Sequence, residues 1–475
     1  MAIYNFLLYL TGWPLALLLF CGGLYFTIRT KFPQFRLFKE SIRVVSEKPA
    51  TEGAISSFGA LMISTASRVG TGNIIGVSTA LCVGGPGAVF WMWVTAILGG
   101  ASAFVESTLA QVYKKRNADG GSYGGPAYYI QAALHSKPLA VIFCLALIFT
   151  YGVGYNMLAS YNLQSSFSAF SFYKEGVTPI IIGAIIALLA LYCLLGGGKR
   201  IVKVTGTLVP IMGIAYVILA LVALFINIRN IPHMFGMIFS DAFNFKAIFG
   251  GFMGSCLMMG FKRGLYSNEA GIGSAPNAAA SADVSHPAKQ GLVQMLSVFI
   301  DTLLLCTATA FMSLCSGVTP NADIAGAPFI QQALSQTFGS VGPIFIAVAM
   351  VLFAFTTLLG NFYYIENCFF FLMGHAPSKS FMNGVRIVGA ILIFLGATIK
   401  FGTAWDIADI CQCVLAGINI PVCIALGGVA YKALDNYVAQ RNQGLNPVFN
   451  AKRDGGVKVE TDFWHAGEEE EQIEA

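Results

Sequence analysis

Charged side chains are scarce in this chain. Only 11% of its 475 residues are Asp, Glu, Lys or Arg, whereas 56% are apolar and the mean hydropathy is +0.70. A soluble domain carries about 25% charged residues, so a water-soluble enzyme is excluded and a protein embedded in a lipid bilayer is expected. The positive charges are dispersed along the chain, which gives no support to nucleic-acid binding.

Patterns that hold metals or form disulfides are also lacking. The five His residues are scattered, and the eleven Cys form no C-x-x-C pair. Neither a His/Cys metal centre nor a disulfide framework is indicated, and we expect no cofactor. No His falls at the centre of a predicted span and the intramembrane acids form no pair close in sequence, so a membrane-embedded enzyme is not favoured either.

Long apolar stretches are abundant. About 20 residues are needed to cross the hydrocarbon core, and eleven stretches reach that length, near 6–28, 54–82, 86–112, 139–165, 178–195, 204–228, 246–280, 289–316, 341–373, 384–400 and 405–431. The expected fold class is an all-α integral membrane protein with about 11 transmembrane helices. Between the first two, 29–53 carries six Lys/Arg among aromatic residues and is predicted as an amphipathic helix on the cytoplasmic face.

The distribution of Lys and Arg over the loops predicts the orientation. If 29–53 is cytoplasmic, the loops on that side carry fifteen Lys/Arg and those on the other side four. Positive residues stay inside, so we expect the N-terminus outside and the C-terminus in the cytoplasm of a prokaryotic plasma membrane. The tail from about Gln440, ending in EEEEQIEA, is polar and charged and is predicted to be disordered.

Two of the eleven stretches are interrupted by glycines and charges. They contain RVGTGNIIG from Arg68 and RGLYSNEAG from Arg263, which read alike at a separation of 195 residues. Each Gly costs a helix interior about 1 kcal/mol relative to Ala, and each central charge about 2.5 to 3.5 kcal/mol on insertion scales. Both features favour spans with an unwound segment. The alternative is that the glycines serve close helix packing.

Each interrupted span opens a group of five, and since five is odd the second group has inverted topology. An inverted repeat with broken first helices is typical of secondary transporters, with the binding site at the midplane. There, helix N-termini favour an anion and freed carbonyls a small cation. A channel would need a symmetric pore or a ring of like side chains, so it is not favoured. The predicted domains are 1–28, 29–53, 54–228, 229–431 and 432–475.

Four motifs resemble those of one family. GGPGAVFWMWVTAILG (84–99), RVGTGNIIGVSTA (68–80), GGPAYYI (124–130) and KRGLYSNEAGIGSAPNAAA (262–280) are similar to motifs of the sodium:alanine (alanine or glycine:cation) symporter family, within the amino acid-polyamine-organocation superfamily. The resemblance extends over 50–430. It implies the leucine-transporter type of fold, with one extra N-terminal helix, and sodium-coupled uptake of a neutral amino acid by alternating access.

The resemblance also implies a sodium site between the first broken helix and the span that contains AFTTLL. Its ligands would be three carbonyls and two hydroxyls, from Ala66, Val69, Phe353, Thr356 and Thr357. A hard cation prefers several oxygen ligands. The alternative for paired Thr in a membrane helix is a hydrogen bond from each hydroxyl to the carbonyl four residues earlier.

The implied amino-acid site lies beside the same break. The carboxylate would meet amides near Thr71, and the ammonium would face an unwound segment at 259–264 and the span 139–165. The candidate substrate residues are Thr71, Gly72, Asn73, Asn156, Ser160, Asn162, Gly260, Phe261 and Asn361.

Buried charges and amides are interpreted as a network that fixes the broken helices. Its candidate members are Arg68, Arg263, Asn268, Glu269, Glu106 and Glu366. An unpaired buried charge is costly, so Glu106 and Glu366 are expected to pair with Arg68, Lys262 or Arg263. The alternative is a proton-coupled carrier, for which Glu106, Glu269 or Glu366 would have to titrate.

The sequence departs from the family pattern near the implied pocket. Leu158 and Ala159 stand where alanine and glycine carriers usually have a Gln, and Asn361 stands where they have a Trp. The substrate is therefore left as a small or medium neutral amino acid of the alanine/glycine class, with glutamine or serine as alternatives. The oligomeric state is left open.

Overall fold

The computed structural model describes residues 2–49, 51–117, 121–250, 255–457 and 461–464, and these are almost entirely helical. The α-helices are α1 Ala2–Leu10, α2 Trp13–Arg29, α3 Pro33–Arg36, α4 Phe38–Val45, α5 Ser57–Arg68, α6 Val77–Thr79, α7 Ala88–Val112, α8 Pro126–Leu134, α9 Lys137–Phe149, α10 Asn156–Ser165, α11 Thr178–Leu194, α12 Gly197–Ile226, α13 Ile231–Ala242, α14 Phe245–Gly250, α15 Cys256–Asn268, α16 Pro276–Ala279, α17 Pro287–Val298, α18 Thr307–Leu314, α19 Ala327–Phe338, α20 Val341–Met373, α21 Lys379–Gly396 and α22 Phe401–Asn442. Four π-helical segments, Gly72–Gly76, Ala80–Gly84, Thr150–Tyr155 and Phe299–Cys306, and two 3-10 turns, Ile228–Asn230 and Ala322–Ile324, join some of them. Strands β1 Lys115–Arg116 and β2 Ser122–Tyr123 form a short antiparallel hairpin.

The helices confirm the expected number of spans. Eight continuous helices of the described chain are long and apolar enough to cross a membrane. The shorter apolar helix α11 and two interrupted helices, 57–84 and 256–279, bring the number to eleven. Some predicted boundaries are wrong: α12 begins at Gly197 and not near 204, and α22 continues to Asn442 and not to 431.

The first interrupted span breaks where its sequence predicted. α5 ends at Arg68, Val69 leaves the helical conformation with ψ 86°, and the helix restarts at Gly72. A Cβ on Gly70 would overlap the Thr357 hydroxyl, and one on Gly360 would lie 2.6 Å from the backbone nitrogen of Ser67. The glycines therefore let the broken end of α5 lie directly on α20.

The second break lies elsewhere than expected. Residues 259–264 are helical within α15, so the predicted unwound segment there is wrong. The chain unwinds after Asn268, where Glu269, Gly271 and Gly273 have φ of 55°, 87° and 81°. The earlier glycine Gly260 has a packing role instead, because a Cβ there would lie 2.7 Å from the carbonyl oxygen of Ala88 on α7.

The segment that follows the first span forms two short helices rather than one. Phe32, just before α3, and Phe35 and Phe38 are exposed, while Arg43 forms an ion pair with Glu40 at 2.8 Å. The hydrogen bond from Arg43 holds the pKa of Glu40 at about 2, below its ordinary value. An aromatic face beside a charged face suits a position at the membrane surface.

The predicted disorder of the tail is wrong for its described part. α22 extends to Asn442, and Phe449, Val457 and Trp464 are buried. The Trp464 indole N–H donates to the carbonyl of Gln111 at 2.9 Å. The tail packs on the helical bundle because its few apolar side chains are removed from water there, which is favourable. The acidic run at 468–471 lies outside the described residues.

Charged groups at the end of α7 fasten the same tail. Asp462 forms an ion pair with Lys115 at 2.8 Å, and Lys114 Nζ lies 4.4 Å from the centre of the Phe463 ring. Burial lowers the pKa of Lys114 to about 7. Its ammonium also donates to the carbonyl of Ala282 at 3.0 Å, so the tail and the segment after the second break share one anchor.

Trp464→Ala should release the tail. The change removes a buried ring and the indole hydrogen bond to Gln111, and truncating a buried Trp typically costs about 3 to 5 kcal/mol. We expect a non-specific protease to cleave the tail at least several-fold faster than in the wild type, measured by mass spectrometry of the purified protein. Lys452→Ala, an exposed position in the same tail, is the control. Equal cleavage of wild type and Trp464→Ala would contradict a docked tail.

Candidate functional site

The two helix breaks contact one another at the centre of the molecule. Ser67, at the end of α5, donates to Glu269 Oε1 at 3.0 Å. The hydroxyls of Thr71 and Tyr266 lie 3.4 Å apart. All four residues are buried. The sequence repeat thus places the two unwound segments side by side in the interior.

The first break presents an N-terminus at its centre. Gly70 N–H donates to Asn73 Oδ1 at 2.8 Å, so the Asn73 side chain caps the turn. The helical segment that begins at Gly72 leaves its first amides without acceptors further back in the same helix, and its dipole favours an anion there. Asn162 Nδ2 donates to the Thr71 hydroxyl at 3.1 Å, which orients that hydroxyl at the same end.

Several predicted substrate residues form a chain of hydrogen bonds beside the break. Ser67 shares its single hydroxyl proton between Glu269 and Asn361 Oδ1, which lies 2.7 Å away, and Asn361 donates to Asn156 Oδ1 at 2.8 Å. The atoms Asn156 Nδ2, Ser160 Oγ and Asn162 Oδ1 are buried and make no hydrogen bond within the described chain. Buried polar groups are rarely left unpaired, so these residues fit a polar ligand.

The structure does not bring Gly260 and Phe261 to the breaks. Gly260 packs on α7, and the Phe261 ring lies 6.3 Å from Phe20 and 6.2 Å from Trp91. Both predicted substrate contacts depended on an unwound segment at 259–264, which is helical.

An aromatic group that the sequence did not single out covers the breaks. Tyr266 lies between Tyr155 and Trp405, with ring centres 4.9 Å apart on each side. Arg263 stacks on Trp405 at 3.9 Å and forms an ion pair with Asp409 at 2.5 Å. Trp405 and Asp409 lie on consecutive turns of the last span, a spacing that could have indicated a shared face.

The two predicted sodium-binding threonines are not equivalent. Thr357 Oγ1 faces Gly70 and makes no hydrogen bond among the described residues. Thr356 instead donates to the carbonyls of Leu352 at 3.0 Å and Phe353 at 3.1 Å, as the alternative anticipated. Thr357 is therefore the hydroxyl that fits a cation.

The backbone of α5 lies opposite Thr357. Ala66 and Val69 are fully buried at its end, and Gly360 allows the α20 backbone to approach Ala66 and Ser67 closely. Carbonyl and hydroxyl oxygens without a carboxylate suit a monovalent cation that must also be released.

Glu106 has other partners than those expected. Its carboxylate accepts from the amides of Gly271 at 3.3 Å and Gly273 at 3.1 Å and from Asn419 at 2.7 Å. Among the described residues it forms no direct ion pair with the expected Arg68, Lys262 or Arg263, although Arg68 is near enough to attract its charge. Unwinding exposes amide donors in the membrane interior, and a carboxylate from α7 satisfies them.

The other expected ion pairs also change partners. Glu366 pairs with Arg386 at 2.5 Å, and Lys262 lies 3.8 Å from Asp409. Arg68 donates to the carbonyl of Gln294 at 3.2 Å. Glu366, Lys262 and Arg263 have partners of opposite charge, as the cost of burial predicted, but those partners lie on helices whose packing the sequence does not give.

Asn268 and Glu269 lie in the network that holds the second break. Asn268 Oδ1 accepts from Ala270 N–H at 3.0 Å, and its amide donates to Thr302 at 3.3 Å. Glu269 accepts from Ser67 on one side and from Ser274 at 2.9 Å on the other. Their side chains thus connect the unwound segment to both broken helices.

Eleven spans in the described part of the chain, with two broken helices that meet in the interior, are typical of a secondary transporter with the leucine-transporter type of fold. The chain belongs to the sodium:alanine symporter family, whose model matches residues 2–451. It is therefore a sodium-coupled amino-acid symporter and not an enzyme.

Three known proteins illustrate the similarity. The amino-acid carrier protein AlsT of Bacillus subtilis is 45% identical over 92% of each chain. The probable sodium/glutamine symporter GlnT of the same organism is 40% identical, over 92% of this chain and 90% of its own. The crystal structure of MhsT in complex with L-phenylalanine has a TM-score of 0.55 at 16% identity, covering 82% of this chain and 92% of MhsT. MhsT supports the fold only.

Proposed function

We propose that this symporter carries alanine or glycine, with one binding site between the two helix breaks. The observation that carries the proposal is the set of unpartnered buried polar atoms on Asn156, Ser160 and Asn162, within the described chain, beside the break at Thr71. The amino-acid carboxylate binds the amides of Thr71 and Gly72, where the helix dipole is favourable. Asn156 and Ser160 contact the polar groups of the substrate.

The coupling sodium ion binds between α5 and α20. Its ligands are the Thr357 hydroxyl and the carbonyls of Ala66, Val69 and Phe353. The Thr356 hydroxyl donates within its own helix and is left out of the set. The unpartnered state of Thr357 Oγ1 among the described residues supports this assignment. The ion and the amino acid would both contact the unwound segment 69–72. Binding of one ligand therefore orders the segment for the other and raises its affinity.

The N-terminus lies outside and the C-terminus in the cytoplasm. The excess of Lys and Arg supports this orientation, and contacts at one end of the bundle bring the segments assigned to the cytoplasm to a common side. Lys289 pairs with Glu47 at 2.7 Å, and Lys31 pairs with Asp435 at 3.0 Å. Segments that were assigned to the cytoplasm on charge alone thus lie together.

Uptake of labelled amino acids into proteoliposomes tests the function. We expect alanine or glycine to accumulate when sodium is high outside, because the ion supplies the driving force, and accumulation to stop when a sodium ionophore removes the gradient. Serine and glutamine are measured beside them, since Ala159 and Asn361 leave the pocket size open. A proton gradient without sodium is the control, and accumulation driven by protons alone would contradict sodium coupling.

A further inference from the structure

Asp301 lies between the two helix breaks and was not among the predicted site residues. It belongs to the π-helical segment Phe299–Cys306 that continues α17, and it is fully buried. Among the described residues, its carboxylate accepts hydrogen bonds from the neutral side chains of Asn73, Ser267 and Thr302. Arg68 attracts this charge from a longer distance. A carboxylate whose direct partners in the membrane interior are neutral is costly to keep, which indicates a use for its charge.

The carboxylate binds both broken helices at once. Oδ1 accepts from Asn73 Nδ2 of the first break at 2.7 Å. Oδ2 accepts from the hydroxyl of Ser267, at the end of α15, and from that of Thr302, each at 2.8 Å. Asp301 is therefore a direct bridge between the first helices of the two repeats.

The bridge also sets which way the Asn73 amide points. Its nitrogen donates to the carboxylate of Asp301 at 2.7 Å and to the backbone carbonyl of Asp301 at 3.1 Å, and its oxygen accepts the Gly70 amide at 2.8 Å. The opposite orientation would place the Asn73 nitrogen against the Gly70 N–H. The acceptor at Asp301 thus preserves the hydrogen bond between the Gly70 amide and the Asn73 oxygen. Thr309 holds the same residue by donating to the Asn73 carbonyl at 2.6 Å.

We propose that Asp301 is a positioning residue that holds the amides and carbonyls of 66–72 in the geometry that binds amino acid and sodium. The inference rests on the function proposed above. Asp301 contacts neither ligand; it acts through Asn73 on the first break and through Ser267 on the second. Loss of the Asp301 carboxylate should therefore lower the affinities for the amino acid and for sodium together.

Asp301→Asn tests the role of the carboxylate with little change of shape. The introduced amide nitrogen can only donate, so the hydroxyls of Ser267 and Thr302 would have to turn and accept, and the charge-assisted bonds that Asp301 accepts from the two broken helices are lost. We expect the apparent affinities for labelled alanine and for sodium each to fall about tenfold or more, in line with the strength of hydrogen bonds to a charged group. Binding to detergent-solubilised protein, normalised to monodisperse protein, is the measurement.

A reciprocal exchange separates positioning from packing. Asn73→Asp alone places two carboxylates together and should lose affinity as well. In the double variant Asn73→Asp/Asp301→Asn, the amide introduced at position 301 can donate to the carboxylate introduced at position 73, which still accepts from Gly70. The oxygen of the same introduced amide still accepts from Ser267 and Thr302. The bond from Asn73 Nδ2 to the backbone carbonyl of Asp301 at 3.1 Å is lost in the double variant, because the introduced carboxylate cannot donate. We therefore expect the double variant to recover part of the affinity that each single variant loses.

Ser313→Ala is the matched control, because Ser313 is buried in the same span and donates within its own helix, to the carbonyl of Thr309. Unchanged affinities in Asp301→Asn, or a double variant no better than the single ones, would overturn the inference. If the wild type binds neither alanine nor sodium, the proposed function fails instead, and the two failures are distinguishable.

Discussion

Thr357→Val should abolish sodium-driven alanine uptake, whereas Thr356→Val should retain a large part of it. Valine keeps the shape of threonine but removes the hydroxyl. At Thr357 the lost hydroxyl is the one that faces Gly70 without a hydrogen-bond partner among the described residues. At Thr356 the lost hydroxyl bonds the carbonyls of its own helix. We expect the apparent sodium affinity of Thr357→Val to fall at least about tenfold, equal to about 1.4 kcal/mol.

The measurement is the initial rate of alanine uptake into proteoliposomes over a range of external sodium. The double variant Thr356→Val/Thr357→Val should be no worse than Thr357→Val. Two observations would count against the assignment: equal effects of the two single changes, or wild-type sodium dependence in Thr357→Val. Uptake by the double variant that follows a proton gradient would direct attention to the buried glutamates.

The spans and the first break could be predicted because their signals are local. An apolar run of sufficient length identifies a span whatever its neighbours are. Glycines beside a charge, as at Arg68 and Gly70, identify a break only when the glycines are not needed for packing. Gly260 is needed for packing, because α7 lies directly against it. This is why the second break was placed too early in the chain.

The partners of buried charges could not be predicted. Burial required that Glu366 and Arg263 be paired, and they are, but Arg386 and Asp409 were not foreseen. Partner choice depends on which helix faces meet, and eleven similar apolar helices leave many arrangements open. The docked tail was missed for a related reason: Trp464 lies in a polar segment, and its burial depends on the surface it meets.

Glu106→Gln should disable the transporter through the second break. The glutamate accepts three hydrogen bonds, from Gly271, Gly273 and Asn419. Glutamine offers one oxygen, and its amide nitrogen would face donors. Loss of even one charge-assisted bond costs about 1.5 to 3 kcal/mol, so we expect sodium-driven uptake to fall at least about tenfold, with a lower midpoint of thermal unfolding.

Ser107→Ala is the control for this change, because Ser107 is the adjacent buried residue and its hydroxyl makes no hydrogen bond within the described part of the chain. It should behave as the wild type in uptake and in unfolding. The same pair of variants separates a structural glutamate from a proton carrier. If Glu106 holds the unwound segment, Glu106→Gln loses sodium-driven uptake and stability together. The opposite outcome is a stable Glu106→Gln protein that keeps its sodium-driven uptake and loses only a response to pH. It would show that the unwound segment holds its shape without the carboxylate, and that the carboxylate exchanges protons.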